Sequence, residues 1–159
     1  MSCCSSSSCE STPKENRTLT CPANGKSYRT LPNHTVRHHL KTPWQYEDII
    51  SQYTFAFCDD PNCEVIYFTN QNETFTQADL RTPVGQKSQA PDALICYCFN
   101  VTRQHANPDT QAFVVQQTKA KHCACETLNP SSRCCLKDFP KLPKKITKSQ
   151  NPQSRVSRY

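Results

Sequence analysis

Apolar residues come in short bursts along this chain, separated by longer polar stretches. Residues 53–57 and 64–69 are rich in aromatic and β-branched side chains and flank the turn Cys58-Asp-Asp-Pro-Asn-Cys63. Two such runs across a tight Pro- and Asn-containing turn predict a β-hairpin with a thiol at each strand end. The segment Thr35-Val-Arg-His38-His39 reads as a further strand, in which adjacent side chains point to opposite faces. After a polar hinge near residues 86–92 the pattern changes. A short apolar stretch, Leu94-Ile-Cys-Tyr-Cys-Phe99, precedes a helix capped by Asp109 or Thr110 that runs through Phe113, Val114 and Gln117 towards Lys121. A last helical turn is expected over Leu136-Lys-Asp-Phe-Pro140, closed by the proline. The pattern predicts an α+β chain: a small β module over residues 18–87 and a short helical module over 93–140. Polar segments flank them at 1–17 and 141–159. No apolar run approaches the roughly 20 residues that a membrane helix requires.

Composition sharpens this picture. Hydrophobic residues make up 35% of the 159 residues, below the roughly 45–50% of ordinary globular chains. A core that thin needs cross-links, and twelve cysteines supply the means. The opening residues, MSCCSSSSC, lack the basic and apolar regions of a signal peptide, so a reducing, cytoplasmic setting is expected. There, grouped cysteines hold metal or do redox chemistry more often than they form lasting disulfides. The sequons at Asn16, Asn33, Asn72 and Asn100 would matter only in an exported chain. The formal charge of +6 is uneven: residues 137–159 hold seven Lys or Arg and one Asp, against twelve basic and twelve acidic residues before them. The tail reads as disordered and solvated, and with a neutral body it gives little support to nucleic-acid binding. The leader, with Cys3, Cys4 and Cys9, reads as a disordered segment whose thiols can pick up soft metal ions.

Six of the cysteines fall in three tight groups, Cys96-Tyr-Cys98, Cys123-Ala-Cys125 and Cys134-Cys135. Neighbouring Cα atoms lie about 3.8 Å apart with diverging side chains, outside the usual disulfide window of about 4.4–6.8 Å. Such groups can instead surround a soft metal centre. An iron–sulfur cluster takes about four thiolates, and here six candidates converge from three loops. Backbone N–H groups in those loops, and Arg133, are placed to offset the negative charge. A zinc knuckle is the second expectation. Cys58 and Cys63 sit four residues apart across their turn, Cys21 lies in the turn Cys21-Pro-Ala-Asn-Gly25, and one of His38 and His39 completes a tetrahedron.

The motifs occur in a recognisable order. Cys21-Pro, Thr35-Val-Arg-His-His, Phe57-Cys-Asp-Asp-Pro-Asn-Cys-Glu-Val-Ile-Tyr-Phe68 and Arg81-Thr-Pro-Val-Gly85 are followed by Cys96-Tyr-Cys-Phe-Asn-Val-Thr102 and Asn129-Pro-Ser-Ser-Arg-Cys-Cys135. Over residues 19–140 the chain resembles the zinc and 2Fe-2S domain at the N-terminus of CopZ-type copper chaperones, whose second half is like bacterioferritin-associated ferredoxin. The resemblance implies Zn2+ at Cys21, Cys58 and Cys63. It also implies a 2Fe-2S cluster at Cys96, Cys98, Cys125 and one of the vicinal pair, with copper as a further candidate ion. Where that family has a Cys-Pro-x-Cys start this chain has Asn24, which moves the fourth zinc ligand to His39, with His38 as alternate. No Met-x-Cys-x-x-Cys copper-binding segment follows, and no cysteine lies beyond Pro140. Cys125 stands nine residues before Cys134, as the family's single cysteine does, which leaves Cys123 as the extra thiol. Of the pair, Cys135 is preferred and Cys134 is the alternate.

Three functions follow as expectations. The first is one-electron chemistry at the cluster in copper or other heavy-metal handling, such as reduction of Cu(II) to Cu(I), with a copper transporter or redox protein as partner. The second is a ferredoxin-like carrier serving a separate reductase. The third is a zinc-ribbon nucleic-acid binder, disfavoured by the neutral body. With only Gly25 and Gly85 in the chain there is no phosphate loop, and no nucleophile elbow occurs. An ordinary enzyme is not expected.

Overall fold

The computed structural model describes residues 17–141. Strand β1 (Thr18–Thr20) pairs antiparallel with β2 (Ser27–Leu31). Gly25 has φ 70° in the turn between them, a left-handed conformation that glycine adopts without steric cost. Its N–H donates to Cys21 O at 2.9 Å. The chain then forms helices α1 (Asn33–His39) and α2 (Glu47–Gln52) and returns through β3 (Phe55–Phe57), β4 (Val65–Thr69) and β5 (Thr74–Thr76). The five strands form one antiparallel sheet in the order β1-β2-β3-β4-β5. The hairpin expected around Cys58 and Cys63 is therefore present as β3 and β4, with Phe57 opposite Tyr67.

The segment expected as a strand through His38 and His39 is instead helix α1. Its buried residues are Thr35, Val36, His39 and Leu40, and spacings of three and four lie on one helical face. Asn33 fastens the first turn, its Nδ2 donating to Ile50 O and to Tyr53 O, the latter at 3.1 Å. Packing of that face outweighed the strand preference of Thr and Val.

Strands β3 and β4 are buried along their whole length because the sheet is covered on both faces. On one face Val36 of α1, Leu40 just after it and Ile50 of α2 pack with Leu31, Phe55, Phe57 and Phe75. The opposite face carries a smaller cluster in which Cys21 and Cys58 pack with Ala56, Val65 and Phe68. Thiols thus occupy places that larger proteins give to apolar side chains.

The second half has its own core of Ile95, Cys96, Val101, Val114, Cys135 and Phe139. Besides the expected helix it contains a two-stranded sheet, β6 (Leu94–Cys96) with β7 (Val101–Thr102). Helix α3 (Pro108–Lys119) is capped by Asn107, not by Asp109 or Thr110. Asn107 Oδ1 accepts from both of their backbone N–H groups at 3.0 Å, and Thr110 Oγ1 returns the bond by accepting from Asn107 N at 2.9 Å. Pro108 at the first helical position suits this start, since its missing N–H needs no partner there. A short helix, α4 (Cys125–Leu128), and a 3-10 turn over Cys135–Asp138 complete the fold.

The stretch expected to be a hinge is bonded on both sides. Lys87 Nζ donates to the carbonyls of Asp60, Cys63 and Val65 at 2.9, 2.7 and 2.7 Å. Arg103 Nη2 donates to Ser88 O at 2.8 Å, and Gly85 N donates to Tyr97 Oη at 2.8 Å. A Cβ on Gly85 would stand 1.8 Å from Leu94 O, so only glycine lets these two backbones approach. Among the described residues no helix is long and apolar enough to cross a membrane. The expectations for Cys3, Cys4 and Cys9, and for the tail from residue 142 on, lie outside the described residues.

Candidate metal centres

All nine cysteines among the described residues are free thiols, and they gather at two places. At the first, Cys21 leaves β1, Cys58 ends β3 and Cys63 leads into β4, and their sulfurs lie within 4.8 Å of one another. Cys21 and Cys63 are 4.0 Å apart at sulfur. Tetrahedral Zn–S bonds of about 2.3 Å place sulfurs about 3.8 Å apart, so the three thiols fit zinc. Pairing of Cys58 N with Ile66 O at 2.9 Å and of Cys63 N with Asp60 O at 3.1 Å fixes the turn that carries two of them.

Electrostatics at this turn favour a thiolate at Cys58. Burial opposes the anion, but bonds from the Tyr28 hydroxyl and Asp60 N–H, with the charge of Lys87, bring its pKa below the ordinary thiol value. Burial pushes Cys63 up, against a backbone bond from Val65. Burial, followed by the bond to Cys58, raises Tyr28 well above the ordinary phenol range. The Tyr28 ring packs edge-on against Phe68.

Neither histidine reaches these thiols. His39 is buried, with Nδ1 2.8 Å from Thr82 Oγ1 and Nε2 3.0 Å from Thr127 O. A carbonyl only accepts, so Nε2 carries the proton and Nδ1 accepts from the threonine hydroxyl. Both ring nitrogens are therefore committed. His38 stacks edge-on against His39 with centroids 4.8 Å apart, and its Nδ1 accepts from Arg81 Nη2 at 3.2 Å. The helical geometry of α1 accounts for this placement, because it turns His39 inward towards α4 and away from the sheet edge that carries Cys58. What approaches the thiols instead is Asn24, whose Nδ2 lies 3.4 Å from Cys58 Sγ.

At the second place the hairpin and two loops bring four thiols together. Cys98 and Cys125 are 3.6 Å apart at sulfur, and Cys96 is hydrogen-bonded to Cys135. Cys135 N–H in turn donates to Cys125. Ala124 N donates to Cys98 Sγ at 3.3 Å, while Phe99 and Cys98 N–H groups face Cys96. The bond from Cys135, with those backbone donors, lowers the Cys96 pKa to about 6, against the effect of burial. Burial and then Cys98 push Cys125 up to about 12, and the bond to Cys96 raises Cys135. Of the vicinal pair Cys135 is 1% exposed and points into the core, whereas Cys134 is exposed. Cys123 is half-buried nearby, its charge acting on Cys98 and Cys125. Backbone N–H groups reach three of these four thiols, and Cys96 and Cys135 sit in the apolar core of the second half, surroundings that suit thiolates bound to metal.

Side chains of α1, β4 and the turn at residue 86 hold one side of this second place. Thr35 Oγ1 donates to Glu126 O at 2.6 Å, Tyr67 Oη to Pro130 O at 2.7 Å and Gln86 Nε2 to Asn129 Oδ1 at 3.0 Å. With His39 on Thr127, four side chains of the first half grip residues 126–130. Sequence reasoning missed this set, as it missed Lys87 beneath the knuckle. No local pattern marks a side chain that bonds a carbonyl some 90 residues away, whereas Asn24 was visible as the odd residue of its turn.

Comparison with known proteins agrees with this arrangement. Residues 18–81 match the family model of the CopZ zinc binding domain. The chain is 34% identical over 125 residues to the copper chaperone CopZ of Archaeoglobus fulgidus, covering 74% of this chain and 58% of that protein. It therefore spans less than two thirds of that relative. The crystal structure of the Archaeoglobus fulgidus CopZ N-terminal domain superposes with a TM-score of 0.60 at 30% identity, over 74% of this chain and 92% of that one. A shared zinc-binding domain, and an almost fully covered solved domain of the same fold, show that the chain belongs to the CopZ-type family.

Proposed function

We propose that this protein binds zinc at Cys21, Cys58 and Cys63 and a 2Fe-2S cluster at Cys96, Cys98, Cys125 and Cys135, and serves copper handling in the cytoplasm. The observation that carries the reading is the second thiol group. Cys98 and Cys125 lie 3.6 Å apart at sulfur, Cys96 is bonded to Cys135, and backbone N–H donors surround them. Two thiols per iron is the pattern such a cluster needs. Burial of Cys135 beside an exposed Cys134 supports Cys135 as the ligand.

A cluster held there supplies one-electron chemistry. Such chemistry would suit conversion of Cu(II) to Cu(I), the state that thiolates prefer. A copper transporter is the natural recipient. The chain's own part is to fix four sulfurs, to donate N–H groups to them and so to set the potential. The domain division that goes with this reading is a zinc module over 18–87 and a cluster module over 93–140.

Metal analysis for Fe, Zn and Cu, with visible and EPR spectra of anaerobically purified protein, tests it. Iron and zinc should both be present, and Cys135→Ser should bleach the colour while Cys134→Ser keeps it. Absence of iron, with no absorption between about 400 and 500 nm, refutes the cluster.

A further inference from the structure

Zinc held by protein takes four ligands in a closed structural site, and three plus an exchangeable one in an open site. Among the described residues only three thiols gather at Cys21, Cys58 and Cys63, so the fourth corner decides which kind of site this is. Asn24 follows Cys21 by three residues, the spacing at which a knuckle presents its second ligand. Its side chain does reach the thiols, but with the wrong end. Nδ2 lies 3.4 Å from Cys58 Sγ, 2.9 Å from Tyr28 Oη and 3.3 Å from Asp60 Oδ2. Oδ1 accepts from Lys26 N at 3.0 Å. A backbone N–H can only donate, so this bond fixes the amide with its oxygen turned away from the sulfurs. Oxygen is the atom of an amide that binds a metal ion.

The oxygen and nitrogen donors bonded around the turn are committed elsewhere. Asp60 Oδ2 takes Lys26 Nζ at 2.6 Å, and its Oδ1 takes Asn62 N at 3.0 Å. The Tyr28 hydroxyl is bonded to Cys58 and Asn24. His39 is held on both ring nitrogens and His38 by Arg81. Of the three residues, Cys63 is half-buried while Cys21 and Cys58 are buried, so the side of the triad nearest solvent is that of Cys63.

We propose that Cys21, Cys58 and Cys63 form a three-thiolate zinc site whose fourth position takes an exchangeable ligand from solution, a water that small thiols replace. Asn24 serves it by donating a hydrogen bond to the Cys58 sulfur, not by binding the ion. This rests on the zinc reading above and gives the ion a role beyond that of a staple, since an open position admits a ligand from outside the chain.

Zinc X-ray absorption of the full-length protein, purified without added thiol, counts the ligands directly and is blind to iron. The wild-type ion should show three sulfurs at about 2.3 Å and one oxygen at about 2.0–2.2 Å, and the sulfur count should rise to four on addition of 2-mercaptoethanol. Asn24→Cys should show four sulfurs with or without the thiol and should release zinc to a chelator at least tenfold more slowly. Asn24→Ala should keep three sulfurs and the response to thiol. Four sulfurs in untreated wild type, an imidazole signature, or no response to thiol overturns the open position alone. Absence of bound zinc overturns both the open position and the zinc reading.

Discussion

Replacing His39 by Leu separates a metal ligand from a structural clamp. Leucine has a similar volume, so the change opens little cavity, but it leaves the Thr82 hydroxyl and the Thr127 carbonyl without the partners they now have at 2.8 and 3.0 Å. A buried polar group stripped of its bond costs about 1–3 kcal/mol; with both partners part-buried the pair costs about 1–3 kcal/mol in all, still a sizeable share of the roughly 5–15 kcal/mol that holds a domain together. Zinc content should be unchanged. If the proposed cluster is held at Cys125, it should be lost faster, because Thr127 sits two residues from that thiol. The pH dependence gives a second, independent readout. Burial, reinforced by His38, brings the His39 pKa down from 6.5 to about 4. Between those values the unfolded chain binds the proton and the folded one does not, so stability rises with pH in that window. The contribution is fully present above about 6.5 and is lost as pH falls towards 4, to the extent of about 3 kcal/mol at 1.36 kcal/mol per pH unit. Urea midpoints of wild type and His39→Leu at matched metal loading should differ most near pH 7 and converge near pH 4. A stability gap that does not vary with pH, or loss of zinc from a variant that stays folded, refutes this reasoning and restores His39 as a ligand.

Other substitutions probe the supports of each centre. Lys87→Met removes the ammonium from three carbonyls at the knuckle and should cost about 2–4 kcal/mol; zinc transfer to a chelator should accelerate, and an unchanged rate would sink the anchoring role. Gly85→Ala drives a Cβ to within 1.8 Å of Leu94 O, so the two backbones must separate, and the thermal midpoint should fall by the equivalent of at least about 2 kcal/mol. Asn107→Ala deletes the α3 cap and should cost about 1 kcal/mol in denaturant titrations, with metal content unaltered.

Much of the architecture was legible where local chemistry decides it. The hairpin bearing Cys58 and Cys63 follows from two apolar runs around a Pro-Asn turn, whereas grouping Cys96 and Cys98 with Cys125 and Cys135 rests on the family resemblance, since spacing alone leaves six thiols to choose from. Helix α1 was missed because its short sequence, rich in Thr, Val and His, carries a strand preference that packing against α2 and the sheet overrides. The α3 cap was placed two residues late because Asp and Thr both satisfy the cap pattern, whereas the Asn107-Pro108 pair is what sets the start. Long-range polar contacts were invisible for a simpler reason. Thr35 with Glu126 and Tyr67 with Pro130 are separated by 91 and 63 residues, and only the folded backbone brings them together.

Those long-range bonds bear on how the two centres depend on each other. A four-thiolate cluster tolerates little variation in where its sulfurs stand. Two of the candidate ligands, Cys96 and Cys98, come from the hairpin end of the second half. The other two, Cys125 and Cys135, flank the segment 126–130, which Thr35, His39, Tyr67 and Gln86 hold from the first half. Helix α1, strand β4 and the turn at Gln86 are thus part of the scaffold of the proposed cluster site, although they contribute no sulfur to it. The sheet beside them is built around the thiols at Cys21 and Cys58, whose metal-linked folding energy, about 10–16 kcal/mol for structural zinc, would match the roughly 5–15 kcal/mol net stability of a domain. Filling the first centre would therefore rigidify the frame that grips residues 126–130, and on the proposed cluster reading zinc would load before iron.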